Sequence, residues 1–130
     1  MAEIPSDVKN MIRFLHGVDD KALTLLFKGA SLFVYPSKAE GFGIPPLEAA
    51  VAEIATICNN ATAMNDFDFF GHRLIDTSDT DNLSKTMVET LQSPPSEQEL
   101  RQIHNDVMNR YNWETIAQLF HIELQKFKNS

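Results

Sequence analysis

Apolar and polar residues alternate along this chain in two different periods, and the switches between them lay out its elements. Residues 6–11 read as a short helix capped by Ser6. Residues 12–16, Ile-Arg-Phe-Leu-His, read as a short strand closed by Gly17. Asp19 and Asp20 then open a helix, their carboxylates near the positive end of its dipole. Ala22, Leu23, Leu26, Phe27 and Ala30 recur along it at helical spacing, with Gly29 near its end. Residues 32–36 are almost continuously apolar and rich in β-formers, as suits a strand buried on both faces of a parallel sheet.

Residues 37–45 form a loop carrying Gly41, Gly43 and Pro45, and a helix is predicted over residues 46–53. Prolines are tolerated at its start because the first helical positions have no intrahelical N–H bond to lose. Residues 54–58 are a second buried strand, 59–70 a long polar and aromatic loop with room for one helical turn, and 73–76 a short strand. A helix capped by Thr80 or Asp81 extends to residue 92, with Leu83, Met87, Val88 and Leu91 turned inward. Ser93-Pro-Pro95 breaks it. Ser96 and Glu99 then form the capping-box pair of another helix, expected to bury Leu100, Ile103, Val107 and Met108. Tyr111 and Asn112 separate that helix from a last one bearing Trp113, Ile116, Ala117, Phe120, Leu124 and Phe127, a stripe expected to pack on the domain's own sheet. The order β-α-β-α-β-loop-β-α, followed by helices, predicts an α/β fold. It is a three-layer, Rossmann-like parallel sheet with helices on both faces and a helical C-terminal end, in one domain over residues 1–130.

Composition narrows the partners. Apolar residues are 43 % and charged residues 22 %, an ordinary globular balance, and no apolar run approaches the ~20 residues of a bilayer span. The first residues lack a basic region followed by an apolar stretch, so no signal peptide is expected. The lone cysteine, Cys58, excludes an internal disulfide and lies in an apolar run, where a buried thiol is expected. These features predict a cytoplasmic chain. The net charge is −7 and the eleven basic residues are scattered, which excludes nucleic acid as a main partner. His16, His72, His104 and His121 show no metal-ligand spacing, and no metal is predicted.

Candidate chemistry concentrates at Glu40-Gly-Phe-Gly-Ile-Pro-Pro-Leu-Glu48. In open α/β sheets ligands bind at the carboxyl ends of strands, and this loop leaves such an end to enter a helix. Gly41 and Gly43 let the backbone approach a ligand or take positive φ. Free N–H groups near residues 44–47 suit an anion such as a diphosphate. Glu48, in the first turn, can accept two hydrogen bonds from a vicinal diol, and Glu40 can reach a group about a sugar away. On spacing alone, an ordinary glycine-containing turn with a dipole-favoured glutamate accounts for the pattern equally well.

Phe33-Val-Tyr-Pro-Ser37 followed by Glu40-Gly-Phe-Gly-Ile-Pro-Pro-Leu-Glu48-Ala-Ala50 resembles the signature of retaining GT-B glycosyltransferases, the glycogen-synthase-like and sucrose-synthase-like group. Residues 20–30, Ile57-Cys-Asn-Asn60, Leu74-Ile-Asp76, Asp81-Asn-Leu83 and Asn112-Trp-Glu114 match further landmarks, so the likeness spans about residues 12–127. The resemblance implies the donor-binding part of an enzyme that moves a sugar from a nucleotide diphosphate donor to a glycan, lipid or polysaccharide acceptor. Glu40, the implied catalytic-centre residue, would contact donor-sugar hydroxyls, and Glu48 the ribose. Backbone amides at Phe42, Gly43 and Ile44 would meet the sugar and diphosphate beside Gly41, and Leu47 would line the nucleoside pocket. No cofactor other than the donor substrate is implied.

The match departs in two places. The Arg and Lys that meet the diphosphate in the family would precede Ile12, as would the whole N-terminal GT-B domain with the acceptor site. The chain therefore reads as a partial C-terminal domain, inactive alone, whose partner would be that missing domain or another chain. After the motif, the family's Ala-Cys-Gly-x-Pro-Val is replaced by Val51-Ala-Glu-Ile-Ala-Thr56, which must turn without Gly or Pro. Asp66-Phe-Asp-Phe-Phe70 fits either packing on the sheet edge or an exposed interface. The second choice motivates an alternative function, a non-catalytic module for self-association or partner binding.

Overall fold

A computed structural model describes residues 4–128. It is an α/β domain built on a three-stranded parallel sheet in the order β1 (Phe33–Tyr35), β2 (Thr56–Asn59), β3 (Leu74–Ile75). Val34 stands opposite Ile57, and Cys58 opposite Leu74. The helices are α1 (Ser6–Lys9), α2 (Asp20–Gly29), α3 (Ile44–Val51), α4 (Thr80–Gln92), α5 (Glu97–Arg110) and α6 (Trp113–Lys128). They flank the sheet and end in one long helix, as the alternating pattern predicts. No helix among the described residues is long and apolar enough to cross a membrane.

The central strand β2 is buried along its whole length, and its two polar side chains are hydrogen-bonded there, Thr56 to Ile54 O and Asn59 to Ser37 O. Cys58 lies within it, and burial pushes its thiol up to about 12. The core joins α3, β2 and α5 through Leu47, Ala50, Cys58, Ile103 and Val107. Three more core residues, Met64, Phe67 and Phe70, come from the segment expected to be a loop. That segment is two 3₁₀ turns, Thr62–Asp66 and Asp68–Arg73. Its phenylalanines are packed inside, with Phe69 half-buried, so they offer no exposed face for self-association. Arg110 holds the segment from outside: its Nη1 donates to Asp68 Oδ1 at 2.6 Å and its guanidinium stands 5.4 Å from the Phe69 ring centre.

Helix α3 starts two residues earlier than the proline pair suggests and ends on a left-handed residue. Glu53 N donates to Ala50 O at 3.0 Å and Ile54 N to Ala49 O at 3.1 Å, the paired bonds of a Schellman terminus. Glu53 occupies its left-handed position at φ 57°. This is the position where the resembling family carries glycine, so the turn persists without the residue that makes it easy.

Several expectations fail for identifiable reasons. Residues 12–16 form no strand, and Phe14 and Leu15 are exposed. A strand beside β1 needs both faces covered, and α2 reaches the sheet mainly where Phe27 meets the Phe33 ring edge at 5.5 Å. α1 has no side-chain cap: Pro5 stands at the N-cap position and Ser6 is already the first helical residue. α4 is capped by Asp79, whose carboxylate accepts from Asn82 N at 3.0 Å. Its buried side chains are Thr86 and Thr90, while Val88 and Leu91 face outward. The threonine hydroxyls donate back to Asn82 O and Thr86 O, so burial leaves no orphaned donor. In α5 Ser96 caps Glu99 N as predicted, and Ile103 and Val107 are buried, but Met108 is exposed.

The stripe of α6 does not pack on the sheet. Even Ile116 is 39 % exposed. The direction of α6 is set by Asn112, whose Nδ2 donates to Met108 O at 2.7 Å while its Oδ1 accepts from Thr115 N at 2.7 Å. One side chain thus closes α5 and opens α6.

Candidate functional site

The loop between β1 and α3 leaves the carboxyl end of an edge strand of the sheet. Glu40 is half-buried there and held from two sides. Tyr35 Oη and Ser37 Oγ each donate to its Oε1 at 2.7 Å. The Ser37 and Tyr35 hydroxyls keep the Glu40 carboxyl below the usual range, and Glu40 in turn pushes the Tyr35 phenol up. Glu40 is therefore an anchored carboxylate rather than a proton donor. With Oε1 occupied by two hydroxyls, Oε2 is the oxygen open to a ligand hydroxyl.

The loop's backbone is clipped to the neighbouring strands. Asn59, at the end of β2, donates to Ser37 O at 2.8 Å and accepts from Thr77 N at 3.1 Å, tying together the exits of all three strands. Thr62 Oγ1 accepts from Glu40 N at 3.1 Å. Thr62 is held at φ 54°, an uncommon conformation for a β-branched residue. Asn59, expected to open the loop after the strand, is instead the last residue of β2, and Thr62 carries no signal of its contact in the sequence. A polar residue directly after an apolar strand is the signal that could have marked Asn59; nothing in the sequence marks Thr62.

The two glycines do different work. Gly43 is the N-cap of α3 at φ 90°, and a Cβ there would stand 2.9 Å from Met64 Cγ and 3.2 Å from Phe67 Cε2. It serves close packing on the domain's own core, not approach to a ligand. Gly41 has no neighbour within 4 Å of an added Cβ and faces open space. At the helix start, Pro45 and Pro46 carry no N–H, so the open amides are those of Gly43 and Ile44, fewer than the span 44–47 suggests.

Glu48 is exposed and lines a cleft of about 910 Å³ bounded by α2, α3 and the junction of α5 with α6. Ile44, Leu47 and Phe42 line the same cleft, and Tyr111 and Trp113 stand at its far side. Phe42 meets the Tyr111 ring edge-on at 5.5 Å. Lys28 from α2 brings a cation to the cleft, a placement that sequence spacing does not reveal. The structure thus gathers Phe42, Ile44, Leu47 and Glu48 around one apolar space. Glu40, Gly41 and Gly43 lie outside its lining, on the strand-exit side of the loop. Among the described residues, no group of three or more His, Cys, Asp or Glu side chains could hold a metal ion.

The family model for glycosyl transferases group 1 matches residues 6–106. The O-antigen chain mannosyltransferase B of Escherichia coli is 37 % identical over 81 residues, which are 62 % of this chain and 21 % of that protein. The O-antigen chain mannosyltransferase RfbU of Salmonella typhimurium is 26 % identical over 113 residues, 87 % of this chain and 31 % of that protein. The MMP alpha-(1->4)-mannosyltransferase of Mycolicibacterium hassiacum is 26 % identical over 117 residues, covering 85 % of this chain and 28 % of that protein. The chain thus spans about a fifth to a third of the length of these relatives. No solved structure gives a significant match.

Proposed function

We propose, from the premise that this chain belongs to the group 1 glycosyltransferases, that it forms the donor-binding part of an enzyme transferring mannose from a nucleotide diphosphate sugar to a growing polysaccharide. One observation carries this reading: a single loop joins an anchored carboxylate at the strand exits, Glu40, to an apolar cleft edged by a second carboxylate, Glu48. The nucleoside occupies the cleft against Leu47 and Ile44, with Glu48 accepting from its ribose diol. The diphosphate passes the amides of Phe42, Gly43 and Ile44 at the positive end of α3, with Lys28 as the nearest cation of the cleft. The sugar lies over the open side of Gly41, its hydroxyls donating to Glu40 Oε2. Transfer retains anomeric configuration. Charge on the leaving diphosphate is stabilised by amides and basic side chains. The mannosyl choice rests on the printed names of the relatives.

The acceptor site and the remaining diphosphate cations belong, in this reading, to a second GT-B domain or partner chain, and these residues alone bind donor weakly. A cytoplasmic location accompanies a nucleotide-sugar donor and agrees with the single buried thiol. The test is an NMR titration of the chain with GDP-mannose, UDP-glucose and the free nucleotides. Saturable shifts at Glu48 and Leu47 with every nucleotide, and at Glu40 and Gly41 only when the sugar is present, are expected. Titrations that leave all four residues unmoved would overturn the reading.

A further inference from the structure

The two glutamates of the motif lie eight residues apart, and they present their carboxylates in opposite states. Glu48 is exposed, and its carboxylate has no hydrogen-bond or ion-pair partner among the described residues. Glu40 is pinned. Tyr35 Oη and Ser37 Oγ both donate to the same oxygen, Oε1, at 2.7 Å, and Oε2 receives neither.

An ionised carboxylate offers about four lone-pair sites, two on each oxygen. On Glu40 both sites of Oε1 are filled from within the chain, and the two that remain belong to one oxygen. A vicinal diol grips a carboxylate best by giving one hydrogen to each oxygen, since the two sites on a single oxygen diverge. Glu48 can be gripped in that way and Glu40 cannot. From this contrast we infer that Tyr35 and Ser37 set sugar specificity: by filling Oε1 they make Glu40 read one hydroxyl of the donor sugar rather than a neighbouring pair. Both are positioning residues that act through Glu40. Their role rests on the donor-binding reading, which gives Glu40 to the sugar.

The surroundings hold this arrangement rigid. Tyr35 is the last residue of β1, opposite Cys58 in the parallel register, and its ring stacks on Phe33 at 6.1 Å. Ser37 is fixed through its carbonyl, which accepts from Asn59 Nδ2 at 2.8 Å. Glu40 N donates to Thr62 Oγ1 at 3.1 Å, so the backbone and the side chain of the glutamate are held at once. The direction of Oε2 is therefore set before a ligand arrives. A fixed acceptor discriminates, because a sugar without the matching hydroxyl leaves a charged oxygen unpaired. A mobile carboxylate would swing to a neighbouring hydroxyl and lose little. Neither Tyr35 nor Ser37 is fully buried, so water is an alternative partner for both hydroxyls. Burial alone does not force them onto one oxygen.

The test is an NMR titration of the full chain with GDP, GDP-mannose and four GDP-mannose analogues, each lacking the mannose hydroxyl at carbon 2, 3, 4 or 6. In the wild-type chain one analogue is expected to lose the sugar-dependent shift at Gly41 and to bind about tenfold more weakly than GDP-mannose, while the other three keep both. In the double variant Tyr35→Phe with Ser37→Ala, Oε1 is free. That analogue should then regain the shift through a neighbouring hydroxyl, and its deficit should fall below about threefold. Ser37→Ala alone opens one site without touching the strand and should give an intermediate deficit. A merely structural role would weaken every sugar alike and leave the ranking as it was. GDP shifts at Glu48 and Leu47 report in each variant that the fold and the nucleoside contacts persist. A wild-type chain in which none of the analogues, or more than one, loses the shift overturns the role of Tyr35 and Ser37. A ranking unchanged in the double variant does so too. A chain unmoved by any nucleotide instead overturns the donor-binding reading, and the specificity role falls with it.

Discussion

Thr62 Oγ1 accepts the backbone N–H of Glu40 at 3.1 Å while Thr62 itself sits at φ 54°. The residue that steadies the motif's first glutamate is thus held in a conformation that costs a β-branched side chain of order 1 kcal/mol or more. Thr62→Gly removes both the strain and the clip. Its stability should stay within about 1 kcal/mol of wild type, because strain relief offsets the greater freedom of glycine in the unfolded chain. The Glu40 amide should exchange with solvent faster. Hydrogen exchange at Glu40 checks this, and an unchanged rate would show that the threonine contact is incidental.

Glu40 and Tyr35 titrate as neighbours. The Tyr35 phenol is raised chiefly by its hydrogen bond to Glu40, so Glu40→Gln should bring Tyr35 down toward the ordinary value of 10.0. Tyr111, the other tyrosine, is raised chiefly by burial and should not move. Carbon-labelled tyrosine spectra against pH would separate the two. A Tyr35 titration indifferent to Glu40→Gln would contradict the hydrogen bond.

The same shifts set the acid limit. Glu40 and Asp68 have folded values below their ordinary ones, held by the Ser37 and Tyr35 hydroxyls and by Arg110 respectively. Their contribution to stability is full above the ordinary carboxylate range, and it is lost as pH falls through the depressed folded values. Unfolding midpoints should therefore be flat near neutrality and drop in acid. The drop should be shallower in Asp68→Asn, which has no proton to gain there.

Gly43 and Gly41 should respond oppositely to alanine. At Gly43 the new Cβ meets Met64 at 2.9 Å and must also adopt φ 90°. A loss of about 2–3 kcal/mol is expected in denaturant unfolding. At Gly41 the Cβ meets nothing, so stability should change by no more than about 0.5 kcal/mol. Under the donor-binding reading, sugar-dependent shifts should nonetheless weaken.

Glu53→Gly should stabilise the chain. The left-handed position ending α3 penalises any side chain, and the one attraction given up is a 3.9 Å ion pair with Arg101 across an exposed surface. A gain of about 0.5–1 kcal/mol is expected. A loss would mean that the Arg101 pair outweighs the backbone strain.

What the sequence determined by itself was whatever depends on local period and local chemistry. The short run at 54–58, apolar but for Thr56 and rich in β-branched residues, reads as a covered strand. Asp19 and Ser96 could be recognised as caps because capping is settled within a few residues. The segment from Glu40 to Glu48 could be placed where a strand exit enters a helix. Family likeness, rather than spacing, made it a sugar-donor motif. What tertiary structure decided was which apolar residues find partners. Phe67 and Phe70 look like a loop in sequence, yet they fill the core because α5 and β2 leave a space their rings fit. Phe14 and Phe120 look like core in sequence, yet they stay exposed because no described element lies against them. Gly43 and Gly41 are the same residue two positions apart, and only the nearness of Met64 separates a packing glycine from an open one. Burial is a property of pairs of surfaces, and a sequence states only one member of each pair.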